Sequence, residues 1–468
     1  MIKNRTWLTF ANESICDHRK ALKELKFVNW TTNVKSKFAV NDIVYLFMND
    51  DRSVRFKLQV TKVDVPREDS DYWIKEAPTD STCRLELLDE YEGELLNEVV
   101  LEKVGFKGGG SILNPSCNNT ELIDYIDNVF NLASSSIKLP SHYIVVDLES
   151  GAYCENNTGH EVLNLEPNDI DGRFYGYLPP HDNPNIEKLG ALPTDDYVDG
   201  VMVVYVKKQP NSSNRQIVAF TDNARVYAKS QSGASLNRFI TDNGERVECT
   251  YTIASDYIYD LRTKPDSFLF NVSGDDLQMF RNQRFYTGRR PKQEVKMLQW
   301  LTDFLQRKVK EDDNNDLDFQ RKIQEAECNV ALSETSKQQP TYNDGISGRT
   351  VAKKVHISKQ AIREARYKCS FDETHETFLT NKELPYMEGH HLIPCTSFNS
   401  EYYWSHFKRN IDCVENIICL CPTCHRRIHF GSKDEKETII TDLYKKRRRS
   451  LSAVGLDISL EELLSLYQ

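Results

Sequence analysis

Near the C-terminal end of the chain, four histidines, one asparagine and a cysteine cluster have types and spacings that could do chemistry. His390 and His391 are adjacent in Glu388-Gly389-His390-His391-Leu392-Ile393-Pro394. On extended backbone, neighbouring side chains point to opposite faces, so one imidazole can face a metal ion while the other faces substrate. His425 and His429 stand four apart in Cys421-Pro422-Thr423-Cys424-His425-Arg426-Arg427-Ile428-His429. On a helix that spacing puts both on one face, where they can share one ion. Asn416 opens the apolar run Ile417-Ile418-Cys419-Leu420 that lies between the two histidine pairs. A cation beside a neutral imidazole suits phosphodiester hydrolysis. The cation stabilises charge on the phosphate and its leaving oxygen, and an imidazole with a pKa near neutrality takes a proton from water.

Taken together and in this order, these residues resemble the HNH (ββα-metal) nucleases, which include bacterial DNase toxins and many restriction enzymes. The resemblance covers roughly residues 365–430. It implies His391 as general base, with His390, His425 and His429 facing a divalent cation, Mg²⁺ or Mn²⁺. Asn416 would orient the base or assist the metal, and Glu388 would anchor the catalytic set from behind. Arg426 and Arg427, between the helical histidines, are read as nucleic-acid contacts. Cys421 and Cys424 supply half of a tetrahedral zinc site. Many HNH proteins carry a second C-x2-C upstream, but here Asp372 stands where the partner of Cys369 would fall. His375 follows shortly after, so the expected structural Zn²⁺ ligands are Cys369, His375, Cys421 and Cys424. Cys395, Cys413 and Cys419 read as core or strand residues, and the run Lys445-Lys446-Arg447-Arg448-Arg449 as a solvated helix end.

The elements that must position these groups follow from periodicity. Phe38 to Phe47 and the alternating Val54 to Val60 read as paired strands, and Leu122 to Phe130 as a helix. Val201 to Val206 and Gln216 to Phe220 read as a second strand pair, joined by the loop Pro210-Asn211-Ser212-Ser213-Asn214. Glu294 to Lys308 has helical apolar spacing and is followed by the acidic, Asn-rich stretch Glu311 to Asp316. A further helix is expected from about Ser358 to Arg366. The fold class is α+β multidomain, with an N-terminal PUA/EVE-like β-barrel over 1–135 and a central β-rich domain over 139–290. A helical connector over 291–350 then leads to the C-terminal ββα-metal domain over 351–468.

Composition bounds these expectations. The 468 residues are 39% hydrophobic and 10% aromatic, enough to build cores. The net charge of −10 hides an asymmetry: residues 351–468 hold 18 Lys+Arg against 16 Asp+Glu, leaving 42 against 54 for the rest. Local patches rather than that sum govern contact with phosphates. No run reaches membrane-spanning length and the first residues lack a secretory apolar core, so a cytoplasmic location and no membrane partner are expected. Six of the 12 cysteines fall between Cys369 and Cys424, which in a reducing compartment points to metal rather than disulfides.

An HNH module has little sequence preference of its own, because backbone contacts carry no base information. The stretch over 27–60, with Gly105 to Ile112 and the helix near Leu122–Ile126, resembles EVE/PUA-like domains. Several relatives of that group bind modified bases, and some are fused to HNH nucleases. That resemblance implies an aromatic-walled pocket for an extruded base, with Trp30, Tyr45, Phe47 and Trp73 as candidate walls. The reading is a modification-dependent, type IV-like restriction endonuclease in anti-phage defence. It would act on DNA carrying modified cytosine, and a homodimer would supply paired nicks. Other readings of the same residues are a nuclease gated by a small ligand or protein at the central domain, an RNA-directed nuclease, and a nucleic-acid binder with an inactive HNH fold.

Overall fold

The computed structural model describes residues 5–31, 38–108, 119–135, 137–148, 163–178, 183–242, 244–264, 266–272, 284–326, 334–345 and 348–467. Contacts divide the chain into two compact units, Met1–Gln306 and Arg307–Gln468.

The first unit opens with β1 (Thr6–Ala11), α1 (His18–Leu25), β2 (Phe27–Thr31), β3 (Ile43–Met48), β4 (Ser53–Val65) and β5 (Thr82–Glu90). They form one sheet in the order β1-β3-β4-β5-β2, in which only the β1–β3 pair is parallel. The sheet runs as an open path, a half-barrel rather than the closed barrel expected from the sequence. β3 is apolar throughout because both of its faces are covered: five of its six residues are buried. Helices α2 (Glu98–Glu102) and α3 (Thr120–Ala133) pack apolar residues into the core on one side.

That packing corrects two expected pocket walls. Tyr45 is 1% exposed, stacks on Phe130 of α3 and donates its hydroxyl to Asp127 Oδ1 at 2.6 Å. Phe47 is equally buried, stacked on Phe106 and packed on Phe10. Both rings are core because the interior face of β3 carries them. Trp30 and Trp73 are half-buried. From Gly109 onward the Gly105 to Ile112 stretch that carries part of the EVE/PUA resemblance lies outside the described residues.

A second sheet in the same unit has the order β15-β6-β8-β9-β12-β7. Its strands are β6 (Tyr143–Asp147), β7 (Phe174–Gly176), β8 (Tyr197–Lys208), β9 (Arg215–Gln231), β12 (Tyr251–Ser255) and β15 (Arg284–Tyr286). The ribbon β10 (Phe239–Asp242) and β11 (Glu245–Glu248) stands apart, and the short β13 (Tyr259–Asp260) and β14 (Leu269–Phe270) pair with β9. Phe220, Phe285 and the α3 residues Ile126 and Phe130 fall in one apolar cluster, so both sheets share a core.

Helix α4 (Pro291–Glu325) corrects the expected connector. It does not stop near Lys308 but continues through the acidic Asn-rich stretch. Asn and Asp cost no more than about 0.7 kcal/mol each relative to Ala in a helix. Beyond them, Gln320 and Ile323 supply a buried face that carries the helix on.

The second unit continues with β16 (Tyr342–Gly345), β17 (Gly348–Val351), α5 (Val355–Glu364), β18 (Glu388–His391), α6 (Ser397–Phe407) and β19 (Ile417–Leu420). Helices α7 (Pro422–Phe430), α8 (Lys433–Ala453) and α9 (Leu460–Ser465) complete it. Its core, which includes Leu392, Ile418, Leu420, Ile428, Ile439 and Leu443, is a separate cluster. Among the described residues, no helix is long and apolar enough to cross a membrane.

Candidate active site

The site is built on a ββα hairpin-helix. β18 and β19 pair antiparallel with Glu388 opposite Leu420 and His391 opposite Ile417. The chain then enters α7 through Cys421 at the N-cap, whose Sγ accepts from the Cys424 amide, with Pro422 in the first turn where its missing N–H costs nothing. The far edge of β18 is closed by a side chain. Gln320 of α4 accepts from the Gly389 amide and donates to its carbonyl, both at 3.0 Å, as a neighbouring strand would. Gly389 also lets α5 (Val355–Glu364) approach β18, since a Cβ there would lie 3.1 Å from the Cβ of Ser358.

His390, His425 and His429 each bring one ring nitrogen into a group whose ligand atoms all lie within 4.8 Å of one another. The hydrogen bonds on their outer sides decide which nitrogens are offered. His425 Nδ1 meets Glu388 Oε2 at 2.7 Å, which leaves its Nε2, 3.2 Å from His429 Nε2, for a metal. His390 Nε2 lies 3.0 Å from the Tyr467 hydroxyl. That hydroxyl has a single hydrogen, directed at the carbonyls of Leu392 (2.7 Å) and His391 (3.1 Å), so it accepts from His390 Nε2–H and leaves Nδ1 with the free pair. Burial, then the neighbouring His425 and His429, push the His390 imidazolium pKa well below its ordinary value. His390 is therefore neutral at neutral pH, the form that can ligate. Three imidazoles, two of them held from behind, fit a divalent cation of the first transition row better than Mg²⁺, which prefers oxygen.

His391 points elsewhere. Its Nε2 lies 2.9 Å from Asp412 Oδ1, with both side chains buried. Asn416, expected to orient the base or assist the metal, has its side-chain hydrogen bonds on backbone groups instead. Its Oδ1 accepts from the Ile393 amide (2.7 Å), and its Nδ2 donates to the carbonyls of Ile393 (2.9 Å) and Ile411 (2.8 Å). The amide thus ties the exit of the His391 strand to the loop that carries Asp412. Asp412, Tyr467 and Gln320 were not singled out from sequence. They lie 21, 77 and 69 residues from the positions they serve, and no local spacing marks them.

A second cluster stands at the α7 start. Cys369, His375, Cys421 and Cys424 bring their ligand atoms within 4.8 Å of one another. His375 Nδ1 is 3.3 Å from Cys424 Sγ and 3.7 Å from Cys421 Sγ. A hydrogen bond from Cys424 is the main cause holding Cys369 down at about 4, while the Cys424 thiol is pushed up. Three sulfurs sharing protons around one imidazole form a donor set that could hold a tetrahedral cation. Part of the basic run in α8 supports this corner. Lys446 Nζ donates to the Ser370 and Phe371 carbonyls at 2.8 Å, and Arg447 donates to the Ile417 carbonyl. On α7, Arg426 is exposed, whereas Arg427 is half-buried and pairs with Glu435 at 3.4 Å.

Residues 369–432 match the family model for HNH endonucleases, so this part of the chain is an HNH endonuclease domain. Over 62 residues the chain is 39% identical to the type IV methyl-directed restriction enzyme EcoKMcrA of Escherichia coli (strain K12). That alignment spans 13% of this chain and 18% of the relative. The solved structure of the type IV phosphorothioation-dependent restriction endonuclease ScoMcrA aligns with 67% of this chain and 55% of its own, at 13% identity and a TM-score of 0.18. A likeness that slight carries no argument about either unit.

Proposed function

We propose that this protein is a metal-dependent DNA endonuclease of the type IV restriction kind, acting in anti-phage defence on DNA with modified cytosine. The observation that carries the nuclease part is the placement of His391 on one side of β18 and the imidazole trio on the other. His390, His425 and His429 would hold the divalent cation, with Glu388 and Tyr467 orienting two of them. Bound there, the cation would neutralise charge on the scissile phosphate and its leaving oxygen. His391 takes a proton from the attacking water. Asn416 keeps the two loops around that imidazole in register, which replaces the direct role expected for it. Cys369, His375, Cys421 and Cys424 would bind a structural Zn²⁺ that fixes the start of α7.

The reader would be the N-terminal EVE/PUA-like region over 1–135, with residues 351–468 as effector. With Tyr45 and Phe47 in the core, Trp30 and Trp73 are the remaining candidate walls. Arg67 links them: its guanidinium lies 4.5 Å from the Trp73 ring centre and donates to the carbonyl of Asn29, next to Trp30. The methyl-directed character named for the E. coli relative supports the modified-base reading. Lys433, Lys436, Glu437, Leu464 and Tyr467 line a cavity of about 220 Å³, in which Lys433 pairs with Glu437 at 3.8 Å. Those lysines, with Arg426, are proposed to hold backbone phosphates.

The test is cleavage of matched DNAs carrying cytosine, 5-methylcytosine, 5-hydroxymethylcytosine or its glucosylated form, with Mn²⁺, Mg²⁺ or EDTA. Cutting of a modified DNA alone, supported by Mn²⁺ at lower concentration than Mg²⁺ and lost in His391→Ala, is expected. Equal cutting of all four DNAs would leave a nuclease and remove the modified-cytosine reading. Cutting of RNA alone would replace the substrate.

A further inference from the structure

Asp412 is held from every side. It is 2% exposed, and one carboxylate oxygen meets His391 Nε2 at 2.9 Å while the other accepts from the Lys354 amide at 2.8 Å. Its own amide donates to Asn410 Oδ1 at 2.9 Å, and the Asn410 amide donates to the Ser336 carbonyl at 2.7 Å. The preceding carbonyl, of Ile411, is the one clamped by Asn416. Its sole ion-pair partner among the described residues is His391. A buried carboxylate without a lysine or arginine needs a hydrogen-bond donor, and among the described residues the only side-chain donor is the imidazole.

Resting on the nuclease reading of this site, we propose that Asp412 is the positioning residue of the general base. It keeps the ring hydrogen of His391 on Nε2, so that the Nδ1 lone pair is the one available to water. As the water oxygen bonds to phosphorus and the bond from phosphorus to the leaving oxygen breaks, the water proton passes to Nδ1. The leaving oxygen departs with the electron pair and is protonated from solvent. The imidazolium formed for that moment lies against the Asp412 carboxylate, which stabilises it without taking a proton. The division of labour is that of the carboxylate in a serine-protease triad, where replacing Asp by Asn costs about 10⁴ in turnover through the wrong tautomer.

In Asp412→Asn the side-chain oxygen is drawn to the Lys354 amide and the NH₂ group turns to His391 Nε2, which forces the hydrogen onto Nδ1. The experiment compares wild type, His391→Ala, Asp412→Asn and Asp412→Glu as full-length chains, using the DNA that wild type cuts best and Mn²⁺. Asp412→Asn is expected to lose at least a hundredfold in kcat with KM for DNA within about threefold of wild type, and Asp412→Glu to recover part of the loss. In parallel, ¹⁵N spectra of histidine-labelled protein, with the His391 signals identified by their absence in His391→Ala, should show Nε2–H in wild type and Nδ1–H in Asp412→Asn. A wild-type kcat in Asp412→Asn, beside an inactive His391→Ala, would overturn the proposal and leave the nuclease reading standing. Failure of wild type to cut any nucleic acid would overturn that reading and the general-base role with it; the spectra then test only whether Asp412 sets the His391 tautomer, which a swap supports and an unchanged ring overturns.

Discussion

Asn416→Ala separates an amide that builds the site from one that takes part in the chemistry. The side chain is fully buried and its hydrogen bonds all go to backbone: the Ile393 amide, the Ile393 carbonyl and the Ile411 carbonyl. Truncation strands these three groups. A buried polar group left without a partner costs about 1–3 kcal/mol, so three at the low end give roughly 3 kcal/mol. A water entering the space left by the amide could restore some of these bonds, which is why the low end is used. Roughly 3 kcal/mol corresponds to a protection loss of about a hundredfold where exchange proceeds by opening of this region. Amide hydrogen exchange read by mass spectrometry on fragments covering 388–396 and 408–416 measures it directly. Both fragments should lose protection together in Asn416→Ala, because one side chain ties them. Asn416→Asp sharpens the test, since it keeps the acceptor for Ile393 but aims an oxygen at two carbonyls, and the loss should be at least as large. Protection within threefold of wild type alongside abolished cleavage would refute the reasoning and return Asn416 to the reacting groups.

Three further outcomes are expected. Cys424→Ser should lower bound zinc, measured by elemental analysis of the purified protein, and lower the unfolding temperature of the C-terminal unit. Unchanged zinc content would show that the Cys369, His375, Cys421 and Cys424 cluster is not its site. Glu388→Ala should weaken divalent-cation binding by roughly 10- to 100-fold in a calorimetric titration, because His425 loses the partner that fixes its tautomer. Glu294 is fully buried, and burial raises its pKa against the donors Tyr143, Gly288 and Arg290 that lower it. A carboxyl whose folded-state pKa is raised gives its full stabilisation below the ordinary carboxylate pKa and loses it as pH rises through the folded value. The melting temperature of Glu294→Gln should therefore gain on wild type as pH rises above the ordinary carboxylate range, and a constant difference would rule the titration out.

What could be read from sequence was what spacing encodes. His425 and His429 had to share a helix face, and His390 and His391 had to diverge, because helix and strand periods leave no other arrangement. Cys421 and Cys424 followed from their C-x2-C spacing, whereas Cys369 and His375 came from what the HNH resemblance implies. The failures have a different cause. Tyr45 and Phe47 stayed candidate walls, with a core position the alternative, because an aromatic on a strand has the same signature whether α3 covers it or water does. Helix α4 ran on through Asn and Asp because propensity differences of a fraction of a kcal/mol yield to a buried face further along. Two of the three partners that orient these histidines, Tyr467 and Asp412, were unreadable for a third reason. The four imidazoles are chemically identical, yet Glu388, Tyr467 and Asp412 select which nitrogen of His425, His390 and His391 is presented. Tyr467 and Asp412 arrive through loops and helix ends whose course depends on packing of the whole C-terminal unit. Sequence spacing therefore locates such a site, while the assignment of ligand and base is a tertiary property. Substitutions at Tyr467 or Asp412 should redistribute those roles without moving a single histidine.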